Sequence, residues 1–403
     1  MASAGSGTGT TGSNEPMIRR SGSSRTGMYA AIAVIVVIVL LVVVAWGVGL
    51  FGGNKSTSNN NGNGGCSVPA SASVTAAGSS LVYPLMFQWE TVYTQGSVNY
   101  QSIGSGAGIQ QITAKTLDIG ATDAPLNATQ RAAAPGLVTI PESAGAVVPV
   151  YNLPGLTGTL QFTGDVLAQI YLGTITNWNS SALQAINPGV TLPNADIVVV
   201  HRSDGSGTTF IWTSFLSASN AQWASTYGHT TANIFPVGVG SKGNSGVTQT
   251  VQSTADAIGY VDINYALTNA IAYGKVKNPS GNYILASLNN SASALKDANV
   301  QLPAGDADWY NVSVLNAPGA NDYPIVSFTY LLIYKDMSGA YGSSYSMTKA
   351  ENVVDFIDWA VTTGQNYAGQ LYYIPLPSSV ATADVATLQS ITYDGSAVPI
   401  CVG

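Results

Sequence analysis

Three short loops carry the residues best suited to hold an anion. They are AAGSSL at 76–81, IGSGAGI at 103–109 and HRSDGSGTTF at 201–210. Each falls where an apolar run hands over to a helical pattern. A helix N-terminus presents unpaired N–H donors and a partial positive charge, so it can hold an anion without cationic side chains. Glycine lets the backbone approach closely, and Ser or Thr hydroxyls add donors. A single Gly/Ser turn of this kind is more often only a helix cap. Three of them in one chain, one holding an arginine, favour a ligand site. Arg202 can donate two parallel bonds to an oxyanion, and Asp204, two residues on, can hold the guanidinium in place. The third loop also resembles a nucleotide-phosphate cradle but lacks the Lys and the spacing of a P-loop.

A fourth segment, ATDAPL at 121–126, places Asp123 at the end of an expected strand. Ligands of α/β sheets gather at the carboxyl ends of strands. A carboxylate repels an anion unless the anion carries a proton. Asp123 could then accept a hydrogen bond from P–OH while rejecting fully ionised sulfate. On local sequence alone, a turn or cap role before Pro125 has equal standing.

The elements that must position these residues alternate. Strands are expected at 73–76, 98–103, 117–122, 137–141, 146–153, 197–201, 257–261 and 325–335, and helices at 81–93, 108–114, 165–173, 208–216 and 349–361. Such βα alternation predicts an α/β architecture with mostly parallel sheets. No internal repeat is evident.

The chain has 403 residues, 46% of them hydrophobic and only 8% charged, with a net charge of -7. Average soluble chains carry about 25% charged residues. No Lys/Arg run exists beyond the N-terminal segment, so nucleic acid is not an expected partner. Little on such a surface changes ionisation as pH falls, which points to an acidic exterior. Residues 1–27, rich in Gly, Ser and Thr, read as a disordered cytoplasmic N-terminus, and 28–51 as a membrane anchor. The run from Tyr29 to Phe51 has no charge and is long enough to span a bilayer, and Arg19, Arg20 and Arg25 before it would stay cytoplasmic. Residues 52–73 read as a flexible tether, and everything beyond would lie outside the cell. Asn-X-Ser/Thr sequons at Asn54, Asn127, Asn179, Asn289 and Asn311 are compatible with a glycosylated exterior domain. The two cysteines, Cys66 and Cys401, flank the patterned region. They are either unrelated thiols or one disulfide tying its ends, and an exterior location favours the disulfide.

From about Val74 onward the chain resembles the phosphate-specific substrate-binding proteins of phosphate ABC transporters, of the periplasmic-binding-protein family. The resemblance is carried by 99–126, 165–179, 187–193, 198–210, 240–247 and 257–266. It implies a type II-like fold of two α/β lobes joined by two chain crossings, closing over the ligand by a hinge. Lobe 1 would take about 74–150 plus 327–403 and lobe 2 about 151–326. The split first lobe brings both ends together, which strengthens the pairing of Cys66 with Cys401. By the same resemblance the phosphate-binding residues are Ser80, Leu81, Ser105, Asp123, Arg202, Ser206, Gly207 and Thr208, with Asp204 supporting Arg202. Leu81 stands where the family usually has Phe, whose backbone N–H is the part used. The implied protein is a monomer that captures inorganic phosphate and passes it to ABC permease subunits, with no cofactor or metal.

Two other readings compete. A phosphate-ester hydrolase would need a base, and the only histidines are His201 and His229. His201 reads as a strand-end residue and Ser206 does not sit in G-x-S-x-G. A structural surface protein would suit the Ser/Thr/Asn-rich exterior but leaves the recurring anion loops unexplained.

Overall fold

Runs of β-branched and small apolar residues form one mixed sheet, seen in a computed structural model that describes residues 73–401. The expected anchor at 28–51, the N-terminal segment, the tether up to residue 72 and Cys66 lie outside the described residues. No helix among the described residues is long and apolar enough to cross a membrane.

The strands of the two larger sheets are β1 (Ser73–Gly78), β2 (Ser97–Ser102), β3 (Ile119–Thr122), β4 (Leu137–Asn152), β5 (Gln161–Phe162), β6 (Val198–Arg202), β7 (Val239–Ser241), β8 (Ala257–Asp262), β9 (Ala272–Tyr273), β10 (Lys275–Lys277), β11 (Tyr283–Ile284) and β12 (Val326–Tyr334). The main sheet runs in the order β2-β1-β3-β12-β4-β8-β6-β7, with β9 also pairing β4, while β11-β10-β5 forms a small separate sheet. The parallel pairs, β2-β1-β3 on one flank and β8-β6-β7 on the other, enclose an antiparallel centre of β3-β12-β4-β8. The expectation of mostly parallel sheets therefore holds only for the flanks. Sequence periodicity cannot tell the direction of a strand buried on both faces, and β12 and β4 are such strands.

β4 is also one continuous strand of 16 residues where two were expected. Pro141, Glu142 and Ser143 interrupt the apolar run in sequence, yet all three are buried within the strand. Its first part pairs with β12 and its last six residues, Val147–Asn152, with β8. At the handover the Val147 N–H donates to the carbonyl of Ile325, just before β12 begins, at 3.0 Å. The chain entering β12 and the middle of β4 thus run side by side at this point.

Helices cover both lobes: α1 (Tyr83–Val92), α2 (Ser105–Thr113), α3 (Gly207–Ser219), α4 (Gly243–Ser253) and α5 (Met347–Val361) among others. α1 buries Leu85, Met86 and Trp89. The Trp89 indole packs edge-on to Trp359 of α5 and donates to the carbonyl of Gly364 at 2.8 Å. Residues some 270 positions apart in the sequence therefore share one core.

Several of the few carboxyls are buried. Asp384, in the helix Ser378–Leu388, is 3% exposed, its Oδ2 meets no hydrogen-bond partner, and burial pushes its pKa up to about 8. Asp358 is pushed up to about 6 by burial and then by neighbouring Asp355. A carboxyl whose folded pKa is raised contributes its full stability below the unfolded value and loses it as pH rises through the folded value. The melting temperature should therefore decline between about pH 4 and pH 8. Asp384→Asn should flatten part of that decline, and parallel profiles for the two proteins would contradict the assignment.

Candidate functional site

The parallel flanks deliver their carboxyl ends to one cleft. β1 is followed by Ser79-Ser80-Leu81, β2 leads into α2 through Gly104, and β3 is followed directly by Asp123. From the other lobe β6 ends at Arg202 ahead of α3, β7 leads into α4, and β8 ends at Asp262. Four helix N-termini, those of α1 to α4, thus follow directly from strand ends, the crevice where α/β sheets bind ligands.

Asp123 is 1% exposed and heavily hydrogen-bonded. Its Oδ1 accepts from Ser79 Oγ at 2.5 Å and from Thr329 Oγ1 at 2.9 Å, while Ser105 Oγ lies 3.5 Å from Oδ2. Burial pushes its pKa up to about 6, against the opposing pull of the Ser79 and Thr329 hydroxyls, the Arg202 charge and Ser105. Its donors and Arg202 hold it well below the range its burial alone would set.

Arg202 is equally buried, at 1% exposed. Its Nε and Nη2 donate to Asp204 Oδ1 and Oδ2 at 2.8 and 2.6 Å, a two-pronged pair, and Nη1 donates to Thr208 Oγ1 at 3.3 Å. Burial raises the Asp204 pKa, but the hydrogen bond and charge of Arg202 outweigh it and leave Asp204 lowered. Asp204 also accepts from the Gly243 N–H at 3.1 Å, joining the third loop to the start of α4.

The other residues singled out in the sequence for the anion lie around these two. Ser80 Oγ accepts from the backbone and side-chain nitrogens of Asn244, both at 3.0 Å. The Leu81 N–H donates to Ser79 Oγ at 2.9 Å. Ser105 opens α2, and Ser206 caps α3 by accepting from the Thr209 N–H at 3.0 Å. Gly207 has no room for a side chain: a Cβ there would lie 2.6 Å from Asp123 Cβ, N and Oδ2. The N-terminus of α3 therefore abuts Asp123 across the cleft. Beside it the Gly106 N–H donates to the carbonyl of Gly205 at 2.9 Å, a backbone bond between the second and third loops.

Four participants were missed in the sequence. Ser79 sits one residue before the expected Ser80. Asn244, fully buried, donates to Ser80 and to Thr208 Oγ1 at 3.0 Å and accepts from the Asp262 N–H at 3.0 Å. Its signal was available, because GSKGNSGV is a fourth small-residue turn at a helix start. Thr329 had no signal, since it lies in the middle of an apolar strand. Glu142, 0% exposed, is within 3.1 Å of Thr329 Oγ1, and a lone carboxyl inside an apolar run could have marked it. Burial pushes the Glu142 pKa up to about 8, with Asp123 adding to the rise against the Thr329 hydrogen bond.

His201 stacks on Phe235 with ring centroids 4.8 Å apart, and its Nδ1 lies 3.1 Å from the carbonyl of Arg202. It is a strand-end packing residue, as expected. Among the described residues no three His, Cys, Asp or Glu side chains are grouped to hold a metal ion.

The arrangement is that of a two-lobed binding protein, and comparison with known proteins agrees. The sequence model of the PBP superfamily domain matches residues 66–363. A phosphate-binding protein PstS from Xylella fastidiosa is 40% identical over 319 residues, 77% of this chain and 83% of that protein. Another from Pasteurella multocida is 40% identical over 312 residues, 76% of this chain and 87% of that protein. The chain belongs to the PBP superfamily and, within it, to the family of phosphate-binding proteins PstS. The crystal structure of a phosphate-binding protein from Stenotrophomonas maltophilia shares the fold, with a TM-score of 0.58 over 78% of this chain and 94% of that one, at 22% identity.

Asn244 joins Ser80, Thr208 and Asp262, which lie far apart in the sequence, so its loss should be felt in stability. Asn244→Ala leaves Ser80, Thr208 and the Asp262 N–H short of partners and should cost about 3 kcal/mol in urea unfolding. A loss below about 1 kcal/mol would mean these groups find other partners.

Proposed function

We propose that this chain is an extracytoplasmic receptor that captures inorganic phosphate between its lobes and delivers it to an ABC-type importer. The single observation that carries the reading is a buried carboxylate, Asp123, set across a cleft from a buried guanidinium, Arg202. A cleft of neutral donors with one cation suits many oxyanions. One that also holds an acceptor suits an oxyanion with a proton. Phosphate keeps a P–OH group near neutral pH and sulfate does not.

In this reading Ser80, Leu81, Ser105, Asp123, Arg202, Ser206, Gly207 and Thr208 contact phosphate, and Asp204 orients Arg202. The Arg202–Asp204 geometry supports this, because a guanidinium held on its Nε and Nη2 edge keeps Nη1 turned toward Thr208 and the cleft. The names of the relatives, phosphate-binding proteins, favour phosphate as the ligand. Lobe 1 takes about 74–150 plus 327–403 and lobe 2 about 151–326, a division supported by the two crossings at Val147 and Ile325. The receptor works as a monomer, held to the membrane by 28–51 with the binding domain outside, a placement that rests on the uncharged apolar run and the arginines before it. A Cys66–Cys401 disulfide closes the domain. It is supported by Cys401 not being a free thiol in a chain with only two cysteines.

Titration calorimetry tests the reading directly. Phosphate and arsenate should bind tightly and sulfate should not, whereas hydrolysis of a phosphate ester would point to an enzyme. Arg202→Ala should weaken phosphate binding at least about 100-fold, since it removes a charge-assisted donor and strands Asp204. Asp123→Asn should narrow the preference for phosphate over sulfate, and an unchanged preference would refute the role of the carboxylate. The acceptor must also be ionised, so phosphate affinity should fall as pH drops through about 6. That fall limits how acidic a working exterior can be.

A further inference from the structure

The hydroxyl of Thr329 lies between two buried carboxyls. Its Oγ1 is 2.9 Å from Asp123 Oδ1 and 3.1 Å from Glu142 Oε1. A hydroxyl has one proton to give. It can donate to one of these oxygens, and the other contact is favourable only if that carboxyl carries a proton and donates to Thr329. Both side chains are buried, at 1% and 0% exposed, so two bare carboxylates this close would be costly.

The backbone shows how Glu142 comes to face Thr329. Along the β4–β12 ladder Thr329 pairs with Ser143 and Tyr330 with Pro141, so Glu142 is an extra residue at a register shift. A bulge of this kind re-aims a side chain and is common beside functional sites. The bulge holds on both sides: Ser143 Oγ donates to the carbonyl of Ile374 at 3.0 Å, and Gln365 Nε2 donates to the carbonyl of Glu142 at 2.9 Å.

We propose that Glu142 is the protonated member of a carboxyl pair joined by Thr329, and that it positions the Thr329 hydroxyl so that Asp123 remains the ionised acceptor for the ligand's P–OH. The proton order is Glu142 O–H to Thr329 Oγ1, Thr329 O–H to Asp123 Oδ1, and ligand P–OH to Asp123 Oδ2. No proton is transferred. The inference rests on the phosphate reading of the site. Glu142 is a positioning residue, because it touches Thr329 and not the ligand.

The groups around the pair agree with this assignment. Burial raises the pKa values of Tyr100 in β2 and of Tyr373, and the charges of Glu142 and Asp123 add to the rise in both. Asp262, at the end of β8, is raised well above the usual range by burial first and then by Asp123, against the backbone N–H bonds from Asn264, Ile263 and Ala146, which pull it down. Arg202 is the one cation that acts on Asp123. Of the three buried carboxyls, Asp123 is the one that has hydroxyl donors on both sides and a nearby guanidinium, and it is the one expected to ionise first. Glu142 Oε2 meets no partner, which favours the neutral acid.

The test compares phosphate affinity by calorimetry across pH 5 to 9 for the wild type, Glu142→Gln and Thr329→Val. Each variant is first checked by circular dichroism and thermal melting. Glutamine can still donate to Thr329 but cannot ionise, and the ratio to wild type cancels the titration of phosphate itself. The two proteins should bind within about 3-fold at pH 5–6, and the wild type should fall about 10-fold or more behind Glu142→Gln by pH 9, once Glu142 loses its proton. A ratio that stays flat across the range overturns the proposal. In the Thr329→Val background the effect of Glu142→Gln should shrink to under about twofold. If it persists undiminished, Glu142 acts by charge alone and the relay is wrong. A wild type that binds no phosphate at any pH would instead overturn the reading of the site itself, and with it the relay.

Discussion

The buried Arg202–Asp204 pair is the interaction on which the rest of the site depends. Arg202 is 1% exposed, and a buried guanidinium is tolerated only when it is paired and hydrogen-bonded. Asp204 supplies both bonds, and in doing so accepts a further one from Gly243 at the start of α4. The third loop must therefore fold tightly, and the small residues around it follow. A Cβ on Gly104 would fall 2.4 Å from Asp204 Oδ2, and one on Gly207 would strike Asp123. The glycines that looked like anion-binding turns are also the only residues that let the two lobes approach this closely.

A chain with so few charges makes each buried one consequential. The described residues contain few ion pairs, and two of them, Arg131–Asp308 and Lys335–Asp306, lie in solvent, where such pairs contribute little. The fold is held by its apolar core and by aromatic packing such as Trp212 against Tyr260 with centroids 5.1 Å apart. That Tyr260 hydroxyl also accepts from the Arg202 N–H at 3.2 Å and contacts Thr209 at 2.6 Å, so core packing reaches to the site itself. Carboxyls that are buried here mostly have raised pKa values, and the protein tolerates them best as neutral acids. Asp204, half-buried, goes the other way, because the Arg202 guanidinium pairs with both of its oxygens.

The acid-exterior expectation is refined by this. Sparse surface charge and raised buried pKa values both favour stability at low pH, while the acceptor role proposed for Asp123 needs an ionised carboxyl. Stability and binding therefore pull in opposite directions below about pH 6. The Asp123 donors, Ser79 and Thr329, act against the burial that creates the conflict.

The sequence by itself determined the local features: the Gly/Ser loops at strand ends, Arg202 with Asp204 two residues on, and Asp123 closing a strand. These are legible because short-range geometry and residue type decide them. The strand seeds were also legible, but not their directions, nor that 137–152 is one strand, because a buried polar triplet looks like a break until its partners are known. Tertiary structure alone decided that Asn244 joins Ser80, Thr208 and Asp262, and that Thr329, 206 residues from Asp123 in the chain, donates to it. It also decided that a bulge turns Glu142 inward. Those contacts come from strands far apart in sequence that meet in one sheet, and no local pattern records which strand will lie beside which.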